Sequence, residues 1–172
     1  MDGSIQVYYG NGRGKTTAAL GLGIRAAGVG KQVIMVQFLT KKHSDTLDFL
    51  KKLEPELQIF RFEKAACGYS DLSPKEKQEQ MLNIKNALGY SRKVLDTGQC
   101  DLLILDEIFG LVDYNIITIE ELMDLIAVKK DSMDLILTGR NLPDEVREIA
   151  DCVYSIQREK EKTPEILAQG NF

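Results

Sequence analysis

Short apolar runs rich in β-branched residues alternate along this chain with longer stretches of helical composition. Ile5-Gln6-Val7-Tyr8-Tyr9 has β-branched and aromatic character and predicts a first strand. Residues 17–27 (TAALGLGIRAA) have helical composition, weakened by Gly21 and Gly23. Gly28-Val29-Gly30 supplies a stop, and residues 32–39 (QVIMVQFL) read as a second, largely buried strand. Residues 44–53 predict a short helix with Leu47, Phe49, Leu50 and Leu53 as its apolar positions, ended by Pro55. Residues 57–62 (LQIFRF) alternate as a strand does, and residues 64–72, which include Cys67-Gly68-Tyr69, read as a loop.

The second half is punctuated more clearly. Ser73 is an N-cap, Pro74 takes the first helical position and Glu76 stands three residues after the cap. That helix is expected to reach Asp96 and stop at Thr97-Gly98. Residues 101–105 (DLLIL) form a short apolar strand closed by Asp106-Glu107. Thr118 caps another helix, with Glu120 and Glu121 in the first turn where the helix dipole favours acids. Residues 134–138 (DLILT) make a further strand followed by Gly139-Arg140. Residues 143–150 are helical, residues 152–156 a last strand, and residues 157–172 a charged, loosely held tail. Strands alternating with helices imply one α/β domain over residues 1–172, with a mostly parallel sheet covered on both faces.

Composition changes this picture little. The 172 residues suffice for a sizeable core, and 44% hydrophobic with 28% charged residues describes an ordinary globular protein. A net charge of −4 without a basic block argues against a nucleic-acid partner. Cys67, Cys100 and Cys152 are odd in number and far apart, which favours reduced thiols over a disulfide framework or a zinc site. No signal peptide or membrane-length apolar run is visible, so the expectation is a soluble cytoplasmic protein without membrane contact.

The chemistry lies between the first strand and first helix, at Gly10-Asn11-Gly12-Arg13-Gly14-Lys15-Thr16-Thr17. A glycine-rich turn from strand to helix brings backbone N–H groups and a helix N-terminus to a phosphate. Lys15 would reach phosphate oxygens as a point charge, and the Thr16 hydroxyl would bind the accompanying Mg²⁺. The common G-x-x-x-x-G-K-[ST] pattern wants glycine at residue 9, which is Tyr9, so this loop is one residue short. A dinucleotide fingerprint does not fit either: the glycines are spaced by twos, and the second strand offers Gln37 where an acid would hold ribose. Asp106-Glu107 ends a buried strand where P-loop folds place a second metal-side acid, although a solvated turn would look the same. His43, the one histidine, sits in a polar stretch and reads as a surface residue.

The short loop with Thr16-Thr17-Ala18-Ala19 resembles that of the ATP:corrinoid adenosyltransferases, a family with a RecA-like P-loop NTPase fold. Arg25-Ala26-Ala27-Gly28-Val29-Gly30, Val36-Gln37-Phe38, Leu105-Asp106-Glu107, Tyr114 followed by Glu120-Glu121, Thr138-Gly139-Arg140 and Ala150-Asp151 fall in the family's order. The resemblance implies transfer of the 5′-deoxyadenosyl group of ATP to Co(I) of a corrinoid, with triphosphate as leaving group. It implies Lys15, Thr16 and Glu107 as catalytic groups, and Thr16, Asp106 and Glu107 on the metal side. Residues 10–17 (Gly10, Asn11, Gly12, Arg13, Gly14, Lys15, Thr16 and Thr17) would bind ATP. Arg25, Gln37, Tyr69, Tyr114 and Arg140 are implied for ATP or corrinoid. A homodimer and a flavoprotein reductase are implied as partners.

The chain departs from the family on the corrinoid side. Asp71 stands where relatives have Trp, Ser155 where they often have Glu, and residues 158–163 replace a Lys-His pair, leaving Ala168-Gln169-Gly170. Phe60, Phe62, Phe109 and Tyr114 could line a cofactor face or belong to the core. Arg140 could touch phosphate, an acceptor carboxylate or an ion-pair partner. Two rival functions are a P-loop hydrolase or phosphotransferase, and a non-catalytic binder of ATP and adenosylcorrinoid.

Overall fold

The computed structural model describes residues 2–39, 50–62 and 69–160. Six parallel strands form one sheet: β1 (Ile5–Tyr9), β2 (Val33–Gln37), β3 (Leu57–Arg61), β4 (Leu102–Asp106), β5 (Asp134–Gly139) and β6 (Cys152–Ser155). They lie in the order β3-β2-β4-β5-β1-β6. Strands β2 and β4 are buried at every residue, which is why both read as unbroken apolar runs.

Helix α1 (Lys15–Ala27) covers one face of the sheet. Ala19 meets Val33, Met35, Leu57, Leu102, Ile104 and Ile136 there. The opposite face carries α2 (Pro74–Thr97), α3 (Ile108–Asp113), α4 (Ile119–Ala127) and α5 (Asp144–Ile149). Ile84, Val94, Phe109, Leu122 and Val146 from these helices pack on Val7, Val36, Leu103 and Leu137. Expected parallel strands with helices on both faces are therefore present.

Local signals explain most boundaries. Ser73 caps α2 through a reciprocal pairing with Glu76, and Gly98 closes it at φ 68°. Thr118 and Glu121 make the same reciprocal pairing at the head of α4. Strand β2 ends at Gln37, two residues before the expected Leu39, whose φ of 53° turns the chain out of the sheet. Asp106 is the last residue of β4 rather than part of the turn after it. Helix α3 was not expected, because six residues are too few to display a helical period.

Of the helix expected over 44–53, residues 44–49 lie outside the described residues, and Lys51–Leu53 is a 3₁₀ turn. Of the loop expected over 64–72, residues 64–68 lie outside the described residues, and Tyr69–Asp71 forms another 3₁₀ turn. His43, Cys67 and the tail from residue 161 also lie outside them. Cys100 is buried, which pushes its thiol up to about 12, and Cys152 is exposed; neither is in a disulfide. No helix among the described residues is long and apolar enough to cross a membrane.

Candidate active site

Parallel register brings four polar side chains into one row at the carboxyl end of the sheet. Gln37 pairs with Arg61 on β3 and with Asp106 on β4. Leu105 pairs with Leu137, so Asp106 and Thr138 follow in the next position. Residues in one row of a parallel sheet point to the same face. One step down, the same face offers Ile59, Met35, Ile104 and Ile136 to α1. The sheet is thus apolar beneath the helix and turns polar at its last rung, beside the glycine loop.

Asp106 is the centre of that rung and is 1% exposed. Its Oδ1 accepts from Thr138 Oγ1 at 2.7 Å and its Oδ2 from Gln37 Nε2 at 2.9 Å. The Thr16 hydroxyl, at the start of α1, donates to the same carboxylate at 2.9 and 3.0 Å. Thr138 Oγ1 also accepts from the Glu107 N–H at 2.8 Å. One hydroxyl therefore holds both acids, and Glu107 leaves the strand at φ 58° to head α3. Sequence motifs contained Thr138 without assigning it a place in the site; its register partner on β1 is Tyr8, next to the loop.

The loop closes around Lys15. Its ammonium donates to Gly10 O at 2.9 Å and Gly12 O at 3.2 Å, and Glu107 Oε1 lies 3.9 Å away. Gly10 has φ 121°, and a Cβ there would stand 2.3 Å from Ile156 O. Only glycine fits where the chain leaving β6 crosses the loop. Tyr9 is still strand, so the turn begins only at Gly10. The Gly10 and Gly12 amides are spent on Arg140 O and Ile156 O, at 3.0 and 2.9 Å, and do not face a ligand. Amides from Gly14 to Thr17 head α1 and have no intrahelical acceptor, so they are the amides of this loop that an anion could engage.

The remaining expected residues divide. Arg140 Nε donates to Asn11 Oδ1 at 2.7 Å, which ties the segment after β5 to the loop. Asn11, Glu107 and Arg140 line both a cleft of about 500 Å³ over Lys15 and a neighbouring cleft of about 540 Å³. Tyr114 stands on the second cleft, with the Tyr69 ring 5.3 Å from its own. Arg13 and Thr17 are exposed on the loop and first turn. Gln37 was expected to meet a ligand, but its amide is buried and engaged by Arg61 and Asp106. Arg25 is exposed in the last turn of α1, ten residues from Lys15 and so about 15 Å along the helix. The fold separates it from the loop.

Two further arginines escaped the sequence reading. Arg61 reaches the rung from β3, and Arg158 lines the cleft over Lys15 from the segment expected to be loose. The aromatics split as well: Phe109 is fully buried, while Phe60 and Phe62 lie against Tyr90 of α2, at 4.8 and 5.8 Å between ring centroids. Gly139 is needed for this packing, since a Cβ there would meet Phe109 Cβ at 2.4 Å.

Burial raises Glu107 above its ordinary 4.5; Lys15 pulls it down, and Asp106 and Asp113 push it up again. The folded protein then binds more protons than the unfolded chain between 4.5 and the raised value. Stability from this group is complete below 4.5 and is lost as pH rises through that window. Glu107→Gln is expected to flatten the fall of the thermal midpoint across it. An unchanged midpoint profile would remove Glu107 from the pH dependence.

A hydroxyl and carboxylate oxygens are the donors of this site, and no group of three or more His, Cys, Asp or Glu side chains is poised for a metal among the described residues. A hard-oxygen set with few carboxylates fits Mg²⁺, which keeps several positions for phosphate and water.

Comparison with known proteins agrees with this geometry. The family model described as "ATP:corrinoid adenosyltransferase BtuR/CobO/CobP" matches residues 1–169. The corrinoid adenosyltransferase of Escherichia coli strain K12 is 30% identical over 155 residues, covering 90% of this chain and 76% of that protein. Corrinoid adenosyltransferase CobA of Salmonella typhimurium is 29% identical over the same length and coverage. Among solved structures, a KaiC-like protein from Pyrococcus horikoshii OT3 superposes with a TM-score of 0.58 at 20% identity, covering 94% of this chain and 75% of that one. At that identity the superposition speaks for the RecA-like fold alone. With a match running almost end to end and relatives at this identity, the chain belongs to the ATP:corrinoid adenosyltransferase family.

Proposed function

We propose that this protein transfers the 5′-deoxyadenosyl group of ATP to Co(I) of a corrinoid substrate and releases triphosphate. The observation that carries the reading is the cleft lined by Lys15 and Glu107 at the head of α1, with the next residue, Thr16, hydrogen-bonded to the buried Asp106. That machinery grips a polyphosphate and includes no nucleophile. None is needed, because the attacking electron pair belongs to the reduced cobalt of the substrate.

In the reaction, cobalt forms a bond to the 5′-carbon as the carbon–oxygen bond to the triphosphate breaks. The electron pair of that bond leaves on oxygen, and Co(I) becomes Co(III). The work left to the chain is to hold the triphosphate still and to offset the charge that grows on it. Lys15 supplies a fixed positive charge, and the α1 amides supply oriented dipoles. Thr16 and Asp106 would hold Mg²⁺, with Glu107 beside them; the ion would neutralise phosphate charge. Arg140, tied to Asn11, borders both clefts, and Tyr114 with Tyr69 offers an aromatic rim for the acceptor.

The reading treats residues 1–172 as one adenosyltransferase domain, supported by the single sheet that carries all six described strands. A homodimer, a cytoplasmic location and a flavoprotein that reduces the cobalt belong to the same reading, and family membership is their support.

Phosphorus NMR of an anaerobic reaction with ATP and Co(I)-corrinoid tests it. Intact triphosphate should appear in step with a light-sensitive alkylcobalt product. Orthophosphate or a phosphorylated product would replace adenosyl transfer by phosphoryl chemistry, and MgATP binding without turnover would leave a carrier.

A further inference from the structure

Arg61 is the outermost member of the polar rung and is not part of any motif. It ends β3, its register partner is Gln37, and its Nε donates to Gln37 Oε1 at 2.6 Å. Gln37 is 4% exposed and spends its Nε2 on Asp106 Oδ2. A carboxamide can lie either way round in such a slot, with its oxygen and nitrogen exchanged. Here the exchanged orientation would set an amide oxygen against the Asp106 carboxylate and an NH₂ group against a guanidinium. Both contacts are repulsive. The charge on Arg61 therefore reinforces that on Asp106 in selecting the orientation in which Gln37 donates to Asp106.

We propose that Arg61 is a positioning residue for the metal side of the nucleotide site, acting through Gln37 on the Asp106 carboxylate. Thr138 pins one oxygen of that carboxylate and Gln37 the other, so the group cannot rotate while both bonds hold. The carboxylate is thereby kept facing the Thr16 hydroxyl, with which it would hold Mg²⁺. An arginine suits this task because Nε–H belongs to a rigid plane, whereas a lysine ammonium would swing about its last bond. Partial burial disfavours the guanidinium charge, and the nearby Asp106 carboxylate offsets part of that effect. Outer partners of this kind orient the ligating group without touching the ion, and their loss weakens metal binding by about 10–100-fold.

The inference rests on the proposed function only in taking Asp106 to be on the metal side. Calorimetric titration of ATP, with Mg²⁺ and with EDTA, tests it on the wild type, Arg61→Met, Gln37→Met and the double variant. Wild type should bind ATP more tightly with Mg²⁺. Arg61→Met should lose about tenfold in affinity with Mg²⁺ and nothing in EDTA. Because Arg61 acts through Gln37, the double variant should bind no more weakly than Gln37→Met. Arg61→Lys should recover part of the loss, and it carries the comparison if Arg61→Met does not fold. Equal losses with and without Mg²⁺, or losses that add in the double variant, would reduce Arg61 to a structural role while the proposed function stands. A wild type indifferent to Mg²⁺ would overturn the metal-side assignment of Asp106, and the relay with it.

Discussion

Lys15→Ala is expected to weaken MgATP binding by about two orders of magnitude, the effect of losing roughly 3 kcal/mol of charge-assisted contact. The Lys15 side chain is 12% exposed, and its ammonium points into the ring formed by Gly10 O, Gly12 O and Glu107. It is therefore held in place before nucleotide arrives, and little side-chain entropy is left to lose on binding. The variant removes the cation and also the donor that draws the loop carbonyls together. Equilibrium titration with a fluorescent ATP analogue measures it. An affinity equal to wild type would show that residues 10–17 do not grip the polyphosphate.

Thr138→Val should lower stability more than any other change of similar size at this site. The hydroxyl is fully buried, donates to Asp106 and accepts from the Glu107 amide. Valine keeps the shape but leaves the Glu107 N–H without its acceptor and removes one of the two hydroxyls that donate to Asp106 Oδ1. An unsatisfied N–H costs about 1–3 kcal/mol and a lost hydrogen bond to a charged group about 1.5–3 kcal/mol, so the expected loss is roughly 3 kcal/mol. For a chain of this size that is a fall in thermal midpoint of roughly 6–12 °C. Thr138→Ser keeps both bonds and should sit close to wild type. MgATP affinity should fall with Thr138→Val as well, since Asp106 regains freedom to turn. A valine variant that melts with wild type would mean that the two acids are held by something else.

These two positions differ in how readily the sequence announces them. Lys15 is visible because its neighbours in space are its neighbours in the chain: glycines before it, a threonine and a helical run after it. The capped start of α2 at Ser73-Pro74-Glu76 was legible for the same reason, as were the buried strands β2 and β4, whose apolar runs reflect helices on both faces. Thr138, Gln37 and Arg61 were not legible as a set. They are distant in sequence from Asp106, and each sits at or one residue before the end of its own strand. Only the register that aligns Arg61, Gln37 and Asp106 makes them one row.

The misplacements have the same origin. Gln37 carries a polar side chain at a strand end, which from sequence looks like a ligand contact, but two neighbouring strands take up its amide. Arg25 lies in a family-like segment close to the loop along the chain, yet about ten residues of helical rise carry it away. Arg158 comes to the cleft because the chain beyond β6 crosses the loop, as the bond from the Gly12 amide to Ile156 O records.

The sequence by itself determined the phosphate loop, the alternation of strands and helices and the family, since these depend on residues a few positions apart and on local backbone preference. Tertiary structure alone decided which side chains surround Asp106, which loop amides remain for phosphate and which arginines face the cleft. The physical reason is that hydrogen bonds across a parallel sheet join residues whose separation along the chain is set by the crossovers between strands, and no local pattern encodes it.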